Sequence, residues 1–217
     1  MMNSDKIPPE LVSALPKKAN TAVAVNQDIV LTLSECIRVG TGNITVSNGG
    51  SDIRIIPVNS LEITVEENKL KLNLANDLLP NNHYSIKIDS TAIEDLNGNK
   101  YAGINNTTTL YFDTEDTLAP TLIKSSPLAN TSFVAANSNI VLTLNEKIQA
   151  GIGNITLVSG SDSRTISIAD PQVKISGNTL TINPTVDFNI GSTYKVHLDA
   201  GVIKDLASVT NLSAAID

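Results

Sequence analysis

The chain has 217 residues, of which 22 are acidic and 15 are basic, so its formal net charge is −7. This charge repels phosphate backbones and anionic lipids, and no stretch reaches the ~18 apolar residues of a membrane span, so neither nucleic acid binding nor membrane insertion is expected. Cys36 is the single cysteine, which excludes an intrachain disulfide and a thiolate metal cluster, and the absence of tryptophan predicts an aliphatic core.

Apolar and polar residues alternate in short runs along the chain, which predicts strands with one buried face. Clear examples in chain order are residues 29–33, 70–74, 84–89 and 194–199. Asn- and Gly-rich turns such as residues 48–50 and 97–99 separate these runs. Short strands at this spacing predict an all-β fold of immunoglobulin-like (Ig-like) sandwiches, with about seven strands in each.

An internal repeat divides the chain. Residues 26–35 return at 137–146, with seven of ten positions identical. Because a period above a hundred residues is too long for a solenoid unit, each copy is expected to be a domain with its own core. The predicted organisation is an N-terminal extension at 1–4, a first sandwich at 5–114 and a second sandwich at 115–217, joined through a short linker that proline should stiffen.

The second copy is expected to be truncated. Copy one ends in a strand-like segment at residues 108–114, whereas copy two stops at Asp217, before the counterpart of that strand. Either the last strand is missing or residues 211–216 supply a poorer substitute. A sheet edge left open there would favour association.

Several motifs occur in the same order in both copies. They are an Asp-x-x-x-Pro start, a Leu-Thr-Leu-Ser/Asn-Glu strand end, Gly-x-Gly-Asn-Ile-Thr and Tyr-x-x-x-x-Asp. This ordered set resembles the bacterial Ig-like repeats of the surface-layer (SbsA-type) class, which occur in large adhesins and S-layer proteins. The resemblance implies a structural spacer of a bacterial cell-surface or secreted adhesin-type protein, with neighbouring Ig-like repeats of the same parent chain as partners. The implied location is extracellular or at the bacterial cell surface.

Carboxylates recur at loops that an Ig-like sandwich brings to one pole. These candidate metal ligands are Asp5, Glu35, Asp89 and Asp95 in copy one, and Asp116, Glu146, Asp199 and Asp205 in copy two. Ca²⁺ accepts six to eight oxygen ligands in irregular geometry, so the pattern predicts a calcium ion that stiffens the domain junction. The alternative is that these turn residues bind their own backbone. The loop at 97–99 is not expected to be a separate site, because copy two does not keep it.

No catalytic residue is predicted, and the chain is not expected to be an enzyme. The histidines are His83, in a turn, and His197, which alternates with apolar residues and should point outward. Two other functions remain open. In the first, the exposed loops bind a glycan, a protein or another ligand of a host or matrix surface. In the second, the chain is an accessory domain of an extracellular hydrolase.

Overall fold

The computed structural model describes residues 5–217, and the predicted extension at residues 1–4 lies outside the described residues. Every regular element in the described part is a β-strand, which confirms the predicted all-β fold. No helix there is long and apolar enough to cross a membrane. The chain divides into two compact units, Met1–Asp116 and Thr117–Asp217.

The first unit is built from short strands. They are β1 (Leu11–Leu15), β2 (Asn20–Val23), β3 (Ile29–Leu33), β4 (Ile37–Val39), β5 (Asn43–Ser47), β6 (Ile53–Pro57), β7 (Ile63–Glu66), β8 (Lys69–Leu72), β9 (His83–Ile88), β10 (Ile93–Asp95) and β11 (Tyr111–Thr114).

These strands form two main sheets and a small ribbon. One sheet has the order β1-β3-β8-β7, the other has the order β2-β11-β9-β5-β6, and β4 pairs with β10. The pairing is antiparallel except between β2 and β11, which run parallel. Side chains from both sheets belong to one apolar core, so the unit is a β-sandwich.

The alternation of β3 shows why the sequence folds in this way. Ile29, Leu31 and Leu33 are each 1% exposed, while Val30 and Thr32 between them face the other side and are half-buried. Burying a side chain of this size contributes about 1.5–3 kcal/mol, so each strand is held mainly by its inward face.

The second unit repeats this plan. Its strands are β12 (Leu122–Ser126), β13 (Ile140–Leu144), β14 (Ile148–Ala150), β15 (Asn154–Ser159), β16 (Asp162–Ser167), β17 (Val173–Ser176), β18 (Thr179–Ile182), β19 (Lys195–Leu198) and β20 (Ile203–Asp205). The sheets have the orders β12-β13-β18-β17 and β16-β15-β19, and β14 pairs with β20.

The described residues after β20 contain no strand equivalent to β11. Leu198 bridges to Ile216, as Ile88 bridges to Ile104 in the first unit. Residues 211–216 are therefore the counterpart of the segment that precedes the last strand, and the idea that they substitute for that strand is wrong. As the sequence predicted, residues 117–217 contain no counterpart of that last strand.

Candidate functional site

Three carboxylates converge at one end of the first sandwich. Asp5, Glu35 and Asp95 each offer an oxygen atom, and these atoms lie within 4.8 Å of one another. Asp5 is exposed, Glu35 is half-buried and Asp95 is fully buried. We call this group the first triad.

Local hydrogen bonds bring the members of the triad together. The backbone N–H of Ile7 donates to the carboxylate of Asp5 at 2.9 Å, which orients the side chain of Asp5 against its own backbone. The segment that follows is tied to the loop after β3, because Glu10 and Ser34 exchange two hydrogen bonds of 2.9 Å. Glu35 is the next residue of that loop, so it lies beside the leading segment.

Asp95 ends β10 opposite Ile37 of β4 and is held by the turn that follows. One carboxylate oxygen accepts the backbone N–H groups of Asn97 and Asn99, and the other accepts the side-chain amide of Asn99 at 2.7 Å. Burial acts to raise the pKa of Asp95, but these hydrogen bonds outweigh it and lower the pKa. Asp95 is therefore a fixed anion at neutral pH.

The pKa of Glu35 is shifted in the opposite direction, upwards. Burial raises its pKa, and the negative charges of Asp5 and Asp95 raise it further. Like charges at such short distances disfavour full ionisation of the group. The triad thus carries a repulsion that a cation would remove.

The second copy contains the same arrangement. Asp116, Glu146 and Asp205 form a second triad, again with one oxygen from each within 4.8 Å of the others. Asp205 is fully buried, and it accepts hydrogen bonds from the backbone and the side-chain amide of Asn211, at 2.8 and 2.7 Å.

Asn211 is a site residue that the sequence comparison missed. It donates to Asp205 as Asn99 donates to Asp95, and its carbonyl accepts the N–H of Asp205 at 3.1 Å. Copy two does not keep the sequence of the loop at 97–99, but Asn211 makes hydrogen bonds to Asp205 that resemble those of Asn99 to Asp95. The two asparagines follow their aspartates by four and six residues, so a fixed repeat offset does not align them.

The structure does not bring Asp89 and Asp199 into the triads. The carboxylate of Asp89 accepts the backbone N–H of Asn43 at 2.8 Å, and Asp199 accepts the N–H of Asn154 at 2.9 Å. Each aspartate caps the start of a strand after a glycine with positive φ. The repeated Gly-Asn-Ile-Thr motif and its distant aspartate are thus explained by local structure.

Asp52, Arg54 and Tyr84 form another repeated cluster, which the sequence analysis did not recognise as a site. The guanidinium of Arg54 donates to both oxygens of Asp52, at 2.8 and 2.9 Å, and to the carbonyls of Asn76 and Asp77. The hydroxyl of Tyr84 donates to Asp52 and accepts the backbone N–H of Leu79.

The counterpart is formed by Asp162, Arg164 and Tyr194. Arg164 holds the carbonyls of Val186 and Asp187 in the same way. Hydrogen bonds from Arg164 and Tyr194 outweigh burial and lower the pKa of Asp162 to about 2. The repeated Ser-Asp-x-Arg sequence and the later tyrosine could have revealed this cluster from the sequence. Its groups form hydrogen bonds with one another and tie a strand to a distant loop.

The histidines lie on the surface. His83 contacts Asp113 at 2.7 Å, and His197 contacts Asp217. The pKa of His197 is raised, first by its hydrogen bond with Asp217. Cys36 is exposed and is a free thiol.

The fold defines a class: two β-sandwiches in tandem, each with an Ig-like arrangement of strands. The family model for the bacterial Ig-like domain matches residues 5–114 and again residues 116–217. The chain therefore belongs to the bacterial Ig-like domain family, in two copies.

Among solved structures, the chain is similar to the N-terminal part of the bacterial S-layer protein SbsC. The identity is 11%, the TM-score is 0.33, and the similarity covers 87% of this chain and 43% of that one. The chain thus corresponds to less than half the length of that structure. No curated protein matches the chain.

Proposed function

We propose that this chain is a structural spacer of a bacterial cell-surface or secreted, repetitive adhesin-type protein. Its partners are neighbouring Ig-like repeats, and its task is to carry load and set distance rather than to catalyse a reaction. Family membership in two tandem copies supports a structural module. The parallel pairing of β2 with β11 in the first unit is the observation that carries the mechanical part.

That pairing links the segment that enters the sandwich to the strand that leaves it. The N–H of Ala19 donates to the carbonyl of Tyr111, and the N–H of Glu115 donates to that of Val23, both at 2.8 Å. When the two ends are pulled apart, parallel neighbours slide along each other, so these bonds share the load instead of opening one at a time. We call the pairing of β2 with β11 the clamp.

Force spectroscopy of the full chain tests this function. Each unit should unfold in one event and release about 35 nm of chain, at roughly 3.3–3.6 Å per residue. The first unit should resist a higher force than the second, whose described residues contain no counterpart of the clamp. Core variants of each unit, Leu31→Ala and Leu142→Ala, identify the two events. Equal forces, or unfolding without a peak, would contradict the spacer function.

Exposure on cells is a separate test of location. Antibodies raised against the chain should label intact cells of the source organism as strongly as permeabilised ones. If labelling required permeabilisation, the surface assignment would fail even though the mechanical result stood. Specific retention of either unit on a glycan array would instead favour a binding module.

We further propose that each triad binds one Ca²⁺ and holds the leading segment of its copy in place. The ligand chemistry fits a hard cation, because within residues 5–217 both triads offer carboxylate oxygens and no histidine or cysteine. The carbonyl of Asp5 is a further oxygen close by, since it accepts a hydrogen bond of 3.0 Å from Asn99. Burial first, and then the negative charges of Asp5 and Asp95, raise the pKa of Glu35, and a cation bound between these groups would offset the repulsion among them.

Calorimetric titration of Ca²⁺ into the full chain tests the proposed sites by the number of ions that bind. Two ions should bind per chain, one should bind to Glu35→Gln or Glu146→Gln, and none should bind to the double variant. The control is Glu66→Gln, which changes an exposed carboxylate of β7 and should leave two ions bound. Two ions bound by the double variant would place calcium elsewhere.

Stability in the absence of calcium gives a second readout. In EDTA, Glu35→Gln should be as stable as the natural chain or more so, because it removes one member of a repelling group. In calcium the natural chain should gain about 2.7 kcal/mol at a hundredfold excess over Kd, while the first unit of the variant gains nothing. Equal gains in both proteins would contradict a role for Glu35.

A further inference from the structure

The chain contains two Asn-Gly pairs, and both lie in turns of the first unit. They are Asn48-Gly49, in the turn between β5 and β6, and Asn97-Gly98, in the turn after β10. Asparagine is most prone to lose its side-chain amide when glycine follows it, because glycine has no side chain to hinder attack by its own backbone nitrogen on the neighbouring carboxamide. The two pairs differ in how the fold holds these reacting groups.

Three hydrogen bonds hold the side chain of Asn48. Its nitrogen donates to the side-chain oxygen of Asn82 at 2.9 Å, and its oxygen accepts the backbone N–H groups of Gly50 and Asp52 at 2.9 and 3.1 Å. The backbone N–H that would attack it is held as well, since it donates to the hydroxyl of Ser47 at 3.0 Å. Asn48 can therefore react only after this turn has opened.

The side chain of Asn97 has no such restraint. Asn97 and Gly98 are exposed, and within residues 5–217 the carboxamide of Asn97 has no hydrogen-bond partner. The attacking N–H of Gly98 makes a long hydrogen bond, 3.3 Å, to the carbonyl of Asp95. A Cβ atom on Gly98 would meet one group within 4 Å, the guanidinium of Arg38 at 4.0 Å. The two reacting groups are thus free to approach each other.

We propose that Asn97 is a site of spontaneous deamidation. The backbone nitrogen of Gly98 forms a bond to the side-chain carbonyl carbon of Asn97. The bond from that carbon to the amide nitrogen breaks, and this nitrogen leaves as ammonia with the proton of the Gly98 N–H. Water then opens the resulting succinimide ring at either carbonyl carbon and returns a proton to the ring nitrogen. The products are aspartate and isoaspartate, and no co-reactant other than water is consumed.

The modification alters the turn that holds Asp95. The N–H groups of Asn97 and Asn99 donate to one oxygen of Asp95, at 2.9 and 2.7 Å. Isoaspartate adds a methylene group to the main chain between these two donors, so the spacing that lets both reach one oxygen is lost. The side chain of Asn99 also donates to the carbonyl of Asp5 at 3.0 Å, so the leading segment loses an anchor. The second unit contains no Asn-Gly pair, which confines this change to the first unit.

Peptide mapping by mass spectrometry tests the site, after the folded full chain has been incubated in mildly alkaline buffer. Trypsin releases Asn97 in the peptide of residues 88–100 and Asn48 in the peptide of residues 39–54. Asn97 should convert about a hundredfold faster than Asn48, because three hydrogen bonds must break before Asn48 can react. Electron-transfer fragmentation should find isoaspartate among the products. No conversion at Asn97, or equal conversion at both residues, would overturn the proposal.

Unfolding in urea is the control for the role of the fold. Once the hydrogen bonds of Asn48 are lost, the two asparagines should convert at similar rates, because glycine follows each of them. A hundredfold difference that persisted in urea would have its origin in the local sequence, and the structural argument would be wrong. Asn97→Gln should abolish conversion in residues 88–100, because glutamine would have to close a larger ring. Conversion that persisted in this variant would place the site at Asn99 and overturn the proposal.

Hydrogen exchange measures the effect on the turn. The isoaspartate form separates from the natural chain by its added negative charge in ion exchange. Its Asn99 amide should exchange about tenfold faster than in the natural chain, because the hydrogen bond to the charged Asp95 is lost. Unchanged exchange would contradict this effect. The inference stands independently of the spacer function and of calcium binding.

Discussion

Arg54 and Arg164 each hold together a repeated cluster of polar contacts. The side chain of Arg54 is 20% exposed, and its planar fork reaches both oxygens of Asp52 while still meeting two carbonyls of the loop at 76–77. Lysine carries the same charge but presents it as a single point, so it cannot make these contacts together.

Arg54→Lys should therefore destabilise the first unit by about 2 kcal/mol, the usual loss when hydrogen bonds to a partly buried charge are left unmade. Urea unfolding of the full chain measures this change. Arg38→Lys is the matched control, since Arg38 pairs with Glu94 at the surface and is 53% exposed. Its substitution should cost less than about 0.5 kcal/mol. Equal losses would show that the fork of Arg54 is not the important feature.

Asp162 predicts how the second unit responds to acid. The folded-state pKa, about 2, lies below the usual value of 3.8, so ionised Asp162 favours the folded state. This contribution is complete above about pH 4 and is lost as the pH falls towards 2. The urea midpoint of the second unit should fall over this interval, and Asp162→Asn should be less stable at pH 6 but flatter in acid. A variant with the same pH profile as the natural chain would contradict the assignment.

At the scale of single strands, two glycines differ in the space around them. A Cβ atom on Gly40, just after β4, would lie 2.3 Å from the carbonyl oxygen of Thr91, which precedes β10. A Cβ atom on Gly49 would meet nothing within 4 Å, although this residue has a φ of +75°. Packing therefore disfavours a side chain at Gly40, whereas the backbone conformation disfavours one at Gly49.

Gly40→Ala should cost about 3 kcal/mol, because β4 must move away from β10. Gly49→Ala should cost about 1 kcal/mol, from the positive φ alone. Thermal unfolding of both variants measures the difference. Because β10 ends in Asp95, Gly40→Ala should also weaken the calcium binding that we propose for the first triad, whereas Gly49→Ala should not. Similar costs for the two variants would show that the ribbon of β4 and β10 adapts easily.

The strands with clear alternation, such as β3 and β13, could be predicted from the sequence, because burial of one face leaves a period of two. The Ig-like topology predicted that Asp5, Glu35 and Asp95 converge, but the same prediction included Asp89, which caps the start of β5 instead. The role of Asn211 could not be predicted, because it lies in a turn that is two residues longer and yet makes equivalent hydrogen bonds. The clamp did not follow either, because no local pattern distinguishes a parallel neighbour from an antiparallel one.

At the scale of the whole chain, each unit has an apolar core of its own. Leu31 lies in the core of the first unit and Leu142 in that of the second, at 1% and 4% exposure. The second core has no counterpart of Leu110 and Phe112 in the described residues, and its Tyr194 is half-buried. Less buried apolar area should leave the second unit less stable than the first.

Calorimetry should therefore show two unfolding transitions, with the second unit melting first. Leu31→Ala should lower only the upper transition and Leu142→Ala only the lower one, each by the equivalent of about 2–5 kcal/mol, because a buried leucine leaves a cavity when it is truncated. The two variants control for each other, since they change the same residue type at equivalent positions of β3 and β13. A single transition that moves with either substitution would mean that the halves unfold as one cooperative body, and the division into two independent sandwiches would then be wrong.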